Sequence, residues 1–399
     1  MGILITKDIL SEKLIIQQAV DNRDSEIRDL ALKIHANPEL GFKEYKAAEW
    51  ITNTLEKAGF KVEKGVANIE TAFVATWEGS SEGPTIAFIA EYDALPELGH
   101  GCGHNIIASS SVGAALAIKD AFPNFPGTIK VIGTPAEEGG GGKIIMCEHG
   151  VFDDLDAAMM CHPLRDSLAY LGGLAAVNTT FKFYGKESHA AFAPEDGISA
   201  LDAVINSFNA INSLRQFFTD DVRIHGIITK GGDASNVVPA YCEAKFGIRA
   251  STRKRLELVK EKVYNAVRHS TAAVGAKCEI EEGLVYAERN DNLTMADLFK
   301  DNLESMGVQV KERPKQGGIA SSDIGNVSQI VPTVQSYIKI GDAPNHTPEF
   351  TRDSGSERGM VGLNQAAKAL AMTAYDLAVD PEILKNVKEE FENSKKVNN

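Results

Sequence analysis

Over its first 175 residues the chain alternates short apolar runs with stretches of helical period. Apolar positions recur every three to four residues across 9–34 and again across 44–58, and this spacing predicts a helix over each. Pro38 and Gly41 punctuate the first of these and Gly59 ends the second. The compact runs 72–77, 85–90, 128–133 and 157–161 are too short for helices and read as buried strands. Between them, 106–121 and 143–149 read as helices. Strands alternating with helices predict an α/β domain with an open, mostly parallel sheet. In such sheets ligands gather beyond the carboxyl ends of the strands.

From about residue 176 the rhythm changes. The segment 177–184 alternates like a half-exposed strand, and 197–218 is helical with Leu201, Val204, Ile205 and Phe208 on one face. Strands are expected at 222–229 and 241–250, a helix at 254–274 and a last strand at 278–284. That β-α-β-β-α-β order is a ferredoxin-like unit. The helix 293–306, the strand 333–338 and the helix 355–379 then resume the earlier pattern, and the charged tail 385–399 is expected to fray. The expected organisation is a catalytic domain in two parts, 1–175 and 287–399, with a second domain, 176–286, inserted between them.

Composition narrows the partners. A net charge of −14 argues against nucleic acid or an anionic membrane. No apolar run approaches the roughly 20 residues that a membrane span needs. The first 20 residues lack the basic-then-apolar layout of a cleavable signal. Five cysteines, an odd number without close pairing, fit a reducing compartment, so a cytoplasmic location is expected.

Candidate chemistry collects at the strand ends. After the run 85–90 comes Glu91-Tyr-Asp-Ala-Leu-Pro-Glu-Leu-Gly-His-Gly-Cys-Gly-His-Asn105. Cys102 and His104, with glycines around them, can face one point and are good ligands for zinc-like ions. An isolated pair of this kind is more often a buried thiol beside a surface imidazole. Glu137 and Glu138 follow the strand 128–133, and neighbours in an extended segment point opposite ways. One can bind metal while the other faces a water. Gly139 to Gly142 followed by Lys143 suggest a phosphate loop, but the spacing is wrong and Ile144 stands where Ser or Thr is needed. His162 follows the strand 157–161, and His346 lies in a loop after 333–338. Coincidence explains one such placement easily and four poorly. Together these residues are about the supply that a two-metal site requires.

Two other classes stay open. A thiol hydrolase could use Cys102 and His104, although so tight a loop suits a shared metal better than a nucleophile–base pair. A non-catalytic metal- or ligand-binding protein would not need Glu137 beside Glu138.

Asp93-Ala-Leu-Pro, Cys102-Gly-His104, Pro135-Ala-Glu137-Glu138, His162-Pro, Gly185-Lys-Glu-Ser-His189-Ala-Ala, Asn236-Val-Val-Pro and Asn345-His346 together resemble one family. It is the aminoacylase/carboxypeptidase-type metallopeptidases and amidohydrolases, peptidase family M20. The likeness covers nearly the whole chain and points to the branch with amino-acid-conjugate hydrolases, p-aminobenzoyl-glutamate hydrolase and acyl-lysine or β-alanyl dipeptidases. The resemblance implies two divalent metal ions per subunit, zinc first, with manganese or cobalt as alternatives. They would be held by Cys102, His104, Glu138, His162 and His346, with Glu137 as general base and Asp93 orienting the site from behind. It makes the inserted domain a lid and dimerisation domain. His189 would be a transition-state group reaching the neighbouring subunit's site in a homodimer or higher homo-oligomer, and Asn236 and Arg249 would bind substrate. The implied reaction is hydrolysis of an amide or peptide bond in a small N-acyl amino acid or dipeptide, with p-aminobenzoyl-glutamate as the alternative substrate. Asn105 and Glu91 depart from much of the branch, which has Asp at both positions. With Ser321-Ser322-Asp323, they lean toward the dipeptidase and aminobenzoyl-glutamate side.

Overall fold

A computed structural model describes residues 7–314 and 320–398. Its contacts divide the chain into two compact units, one holding the residues up to Gly172 and from Asn290 onward, the other spanning Gly173–Arg289.

The first unit opens with helices α1 (Lys7–Asn22), α2 (Asp24–His35) and α3 (Tyr45–Lys57). The single helix expected over 9–34 is thus two, broken at Arg23. Asp21, Asn22, Asp24 and Ser25 around the break are poor helix formers, and no side chain caps the start of α2. The Arg23 guanidinium closes on Asp120 at 2.7 Å. The strands β1 (Lys61–Lys64), β2 (Phe73–Glu78) and β3 (Ser81–Ala90) follow. β1 escaped the sequence pattern because it is a short, charged edge strand with little to bury. Helix α4 (His104–Ala121), β4 (Pro126–Gly133), α5 (Gly142–Glu148) and β5 (Ala157–Leu164) complete this half.

In the second unit β6 (Ala175–Tyr184), α6 (Ala200–Leu214), β7 (Arg223–Lys230), β8 (Tyr241–Ala250), α7 (Arg253–Ala273) and β9 (Lys277–Tyr286) run in β-α-β-β-α-β order. They form one sheet, β7-β8-β6-β9, with every pairing antiparallel. The alternation of β8 puts Cys242, Ala244, Phe246 and Ile248 in a core with α6 and α7 residues such as Val204 and Val263.

The chain then returns to the first unit with α8 (Leu293–Ser305), α9 (Ile324–Val327), β10 (Thr333–Lys339), α10 (Pro348–Ser354), α11 (Glu357–Val379) and α12 (Pro381–Asn398). The sheet order is β1-β2-β4-β3-β5-β10. β4, β3, β5 and β10 run parallel, and β1 and β2 are antiparallel additions. The fold is therefore α/β with a mostly parallel sheet and a separate antiparallel one. The tail expected to fray is helical: Val387 and Phe391 are buried and Glu390 caps the start of α8. Apolar residues four apart give that helix a face to dock.

Helix α4 is buried from His104 to Ile118. Its small residues allow this: a side chain on Gly113 would press on Ile27 and Ala367. Among the described residues no helix is long and apolar enough to cross a membrane.

Candidate metal centre

The carboxyl ends of β3, β4, β5 and β10 point their following residues at one place. Beyond β3, Glu91 and Asp93 share one side and Tyr92 takes the other, its hydroxyl donating to the Thr71 carbonyl at 2.6 Å. The chain then turns into α4 through Gly103, whose φ is +76° and whose added Cβ would lie 2.9 Å from Pro163. Only glycine meets both conditions, so it is what sets Cys102 and His104 either side of the turn. Beyond β4, Ala136 sits at φ +59°, a strained region for a residue with a side chain. Its N–H is held by Glu44 Oε1 at 2.9 Å, while Asp93 Oδ2 accepts the Glu138 N–H at 2.9 Å. A Cβ on Gly142 would come within 1.9 Å of the Pro135 carbonyl oxygen, so the glycine run lets this loop fold back on itself.

Six of the side chains named from the sequence converge. Ligand atoms of Cys102, His104 and His162 lie within 4.8 Å of one another, as do those of Cys102, Glu138 and His346, and those of His104, Glu137 and Glu138. Cys102 Sγ is 2.9 Å from His346 Nε2. His104 Nδ1 donates to the Asp93 carbonyl at 2.9 Å and approaches Asp93 Oδ1 at 3.0 Å, so in the neutral ring Nε2 keeps the lone pair. That Nε2 is 3.9 Å from Glu137 Oε2 and 4.0 Å from Glu138 Oε1. His162 lies within β5, which continues to Leu164 past the apolar stretch that stops at 161, and stands opposite Tyr337 in the register. Its Nδ1 donates to the Pro163 carbonyl at 2.7 Å.

The electrostatics are those of a site short of positive charge. Burial drives the Glu137 carboxyl well above its usual range, with repulsion from Glu91 and Asp323 added and His104 opposing. Burial pushes the Cys102 thiol up to about 12. Burial opposes the charged form of His104, but Asp93 more than compensates and holds that imidazole well above its ordinary value. His104 Nε2 and Glu138 Oε1 are buried with no hydrogen-bond partner among the described residues. Unpaired polar atoms in such a place are costly unless something binds them. A thiol, three imidazoles and a carboxylate form a donor set suited to divalent ions of the zinc type.

His189, Asn236 and Arg249 belong to the second unit. His189 and Asn236 are neighbours there: the Ala190 N–H donates to the Asn236 carbonyl at 3.0 Å, and His189 bridges Val237. His189 Nδ1 accepts the N–H groups of Ala191 and Phe192 at 3.2 and 3.1 Å, so in the neutral ring Nε2 carries the proton. Arg249 pairs with Ala176, eight register positions from the Tyr184–Tyr241 end where the His189 loop begins. At about 3.3 Å per residue this separates the two by roughly 26 Å.

The sequence reading missed a second layer. Lys143 Nζ lies 2.7 Å from both Glu91 Oε1 and Asp323 Oδ1, all three side chains being at most 1% exposed. Glu44, fully buried, supports the strained Ala136 and takes the Thr71 hydroxyl at 2.9 Å. A signal for Glu91 was present: two residues before Asp93 on an extended segment, it had to share Asp93's side.

Comparison with known proteins bears on this site. The family model of Peptidase family M20/M25/M40 matches residues 87–369. The chain is 38% identical to a Mus musculus Xaa-Arg dipeptidase over 391 residues, covering 94% of this chain and 90% of that protein. It is 28% identical to a p-aminobenzoyl-glutamate hydrolase component of Escherichia coli, covering 94% of each. A Bacillus subtilis dinuclear metal binding peptidase of the M20 family shares the fold at a TM-score of 0.68 and 18% identity, covering 89% of this chain and 99% of that one.

Proposed function

The chain belongs to Peptidase family M20/M25/M40, and on that premise we propose that it hydrolyses dipeptides at a two-metal centre. The protein is a metallohydrolase; substrate, ion count and residue roles are the proposal. What carries it is the convergence of six side chains in overlapping groups, Cys102 with His104 and His162, Cys102 with Glu138 and His346, and His104 with Glu137 and Glu138, the ligand atoms inside each group lying within 4.8 Å. All but Glu137 would hold two divalent ions, zinc first, manganese or cobalt as alternatives. Bound there, such ions acidify a water and polarise an amide carbonyl.

The chain's own groups do the rest. Glu137 accepts the water's proton and delivers it to the leaving amine nitrogen. Asp93 fixes the ring of His104 with one carboxylate oxygen and the backbone of Glu138 with the other. His189 offers Nε2–H to the developing oxyanion, in a partner subunit's site of a homodimer. Asn236 works beside it on the substrate; Arg249, roughly 26 Å along the sheet from that loop, would grip the carboxylate of a leaving amino acid in the other site of the dimer, not in the one its own chain's His189 serves. All five cysteines are free, which supports a reducing, cytoplasmic setting.

Xaa-Arg dipeptides are the first substrates to try, because the 38% relative bears that name. p-Aminobenzoyl-glutamate is the second reading, favoured by the full-length likeness to the bacterial hydrolase. The residue released separates them: arginine in one case, glutamate in the other. Assay of Xaa-Arg dipeptides, aminobenzoyl-glutamate and N-acyl amino acids, before and after chelation, tests the reading. Turnover of an Xaa-Arg dipeptide that chelation abolishes supports it; turnover that survives chelation overturns it.

A further inference from the structure

Three charged side chains beside the site are closed off from solvent, and none is among the ion-holding residues. Lys143 Nζ sits 2.7 Å from Glu91 Oε1 and 2.7 Å from Asp323 Oδ1, and the Lys143 N–H donates to Asp323 Oδ2 at 3.0 Å. Burying a lysine is costly, and two acids are more than one ammonium needs. An ion pair tying α5 to a single neighbouring element would require only one of them. The second leaves a surplus negative charge, and its free oxygen shows where that charge is aimed. Neither Glu91 oxygen has a hydrogen-bond partner among the described residues, but Oε1 is ion-paired with Lys143, whereas Oε2 lies 3.5 Å from His104 Nε2, itself buried and without a hydrogen-bond partner there. Two such atoms facing each other in a dry place are best explained by a cation received between them.

We infer that Lys143 is a positioning residue of the metal centre: it holds Glu91 with one carboxylate oxygen turned toward His104 Nε2, on the ion that His104 would hold. The glycine run before Lys143 thus delivers an ammonium to the underside of the site. The inference rests on the proposed metal centre and adds Glu91, Lys143 and Asp323 to it.

Calorimetric titration of the metal-free protein with Mn²⁺ tests this without reference to turnover. Wild type, Glu91→Gln, Lys143→Met, Lys143→Arg and the Glu91→Gln/Lys143→Met double variant would be compared. Glu91→Gln and Lys143→Met are each expected to weaken one Mn²⁺ site about 10- to 100-fold, the usual effect of removing a group behind a ligand. Lys143→Arg recovers part of the loss. The double variant binds no more weakly than Glu91→Gln alone, because Lys143 acts through Glu91. Wild-type affinity in Glu91→Gln overturns the inference, as does a double variant in which the two losses multiply. If Lys143→Met does not fold, Glu91→Gln decides alone. A wild-type protein that binds neither Mn²⁺ nor Zn²⁺ removes the metal centre itself, a result distinct from either of these.

Discussion

The two units carry their candidate side chains in opposite ways. In the α/β unit almost every one has a partner behind it: Asp93 behind His104 and Glu138, Lys143 behind Glu91, Glu44 behind the turn before Glu137. In the inserted unit His189 and Asn236 are exposed, and Arg249 is half-buried at the far end of the same sheet. Buried charge must be satisfied during folding, so the α/β unit's chemistry is also part of its stability. Exposed groups cost the fold nothing and are free to wait for substrate or a second copy. Substitutions behind the metal centre should therefore change stability and activity together, and those in the inserted unit activity alone.

The largest effect expected is at Glu137. Glu137→Ala should lower turnover by about 10²- to 10⁴-fold, the range for losing a general base, while metal content stays at the wild-type level. Glu138→Ala should lose metal. Metal lost from Glu137→Ala but kept in Glu138→Ala would reverse the roles of the pair, and equal loss would make both ligands.

Next comes His189. His189→Ala should cost about 10²- to 10³-fold in kcat with no change in melting temperature, since its ring supports nothing but its own loop. Mixed with Glu137→Ala after proven subunit exchange, it should restore activity at roughly a quarter of the sites, because some heterodimers hold one intact site. No recovery would place His189 in its own chain's site. A drop in melting temperature would break the contrast between the units.

Much of this was legible in the sequence because strand ends are easy to find and metal-binding residue types are few. The positions of Cys102, His104, Glu137, Glu138, His162 and His346 followed from where apolar runs stop. The ferredoxin-like order of the inserted unit followed from its change of period. What the pattern could not convey was the layer behind. Lys143 and Asp323 are far apart in sequence and meet only through the fold, and a lysine after four glycines suggests locally only a phosphate loop, which its spacing excludes. The break at Arg23 and the docked tail were misjudged for a related reason: both depend on long-range partners, Asp120 in one case and Asn292, Leu293 and Thr294 in the other. Cys102 also bears on labelling experiments. Burial lifts its thiol to about 12 even without metal, so slow alkylation alone says little about ligation.

A smaller effect concerns pH. Burial raises the Glu44 carboxyl from 4.5 to about 7, partly offset by the backbone N–H groups it accepts and reinforced by Asp93. Between those values the folded protein binds more protons there than the unfolded chain does. The stability from this group is thus complete below 4.5 and lost as the pH rises to 7, by at most on the order of 3 kcal/mol. In metal-free protein, Glu44→Gln should flatten the pH dependence of urea stability across that window. An unchanged slope would mean that Glu44 ionises in the folded state as it does in the unfolded chain.

The central claim is that one cluster at the strand ends, largely buried but with His346 exposed, holds two ions and that turnover needs both. Stripping the protein of metal and titrating Mn²⁺ or Zn²⁺ back, while following release of arginine from an Xaa-Arg dipeptide, tests it most directly. Activity should be absent at the start and rise to a plateau at two equivalents per chain. Activity without added metal, or a plateau at one equivalent that a second does not raise, would contradict it.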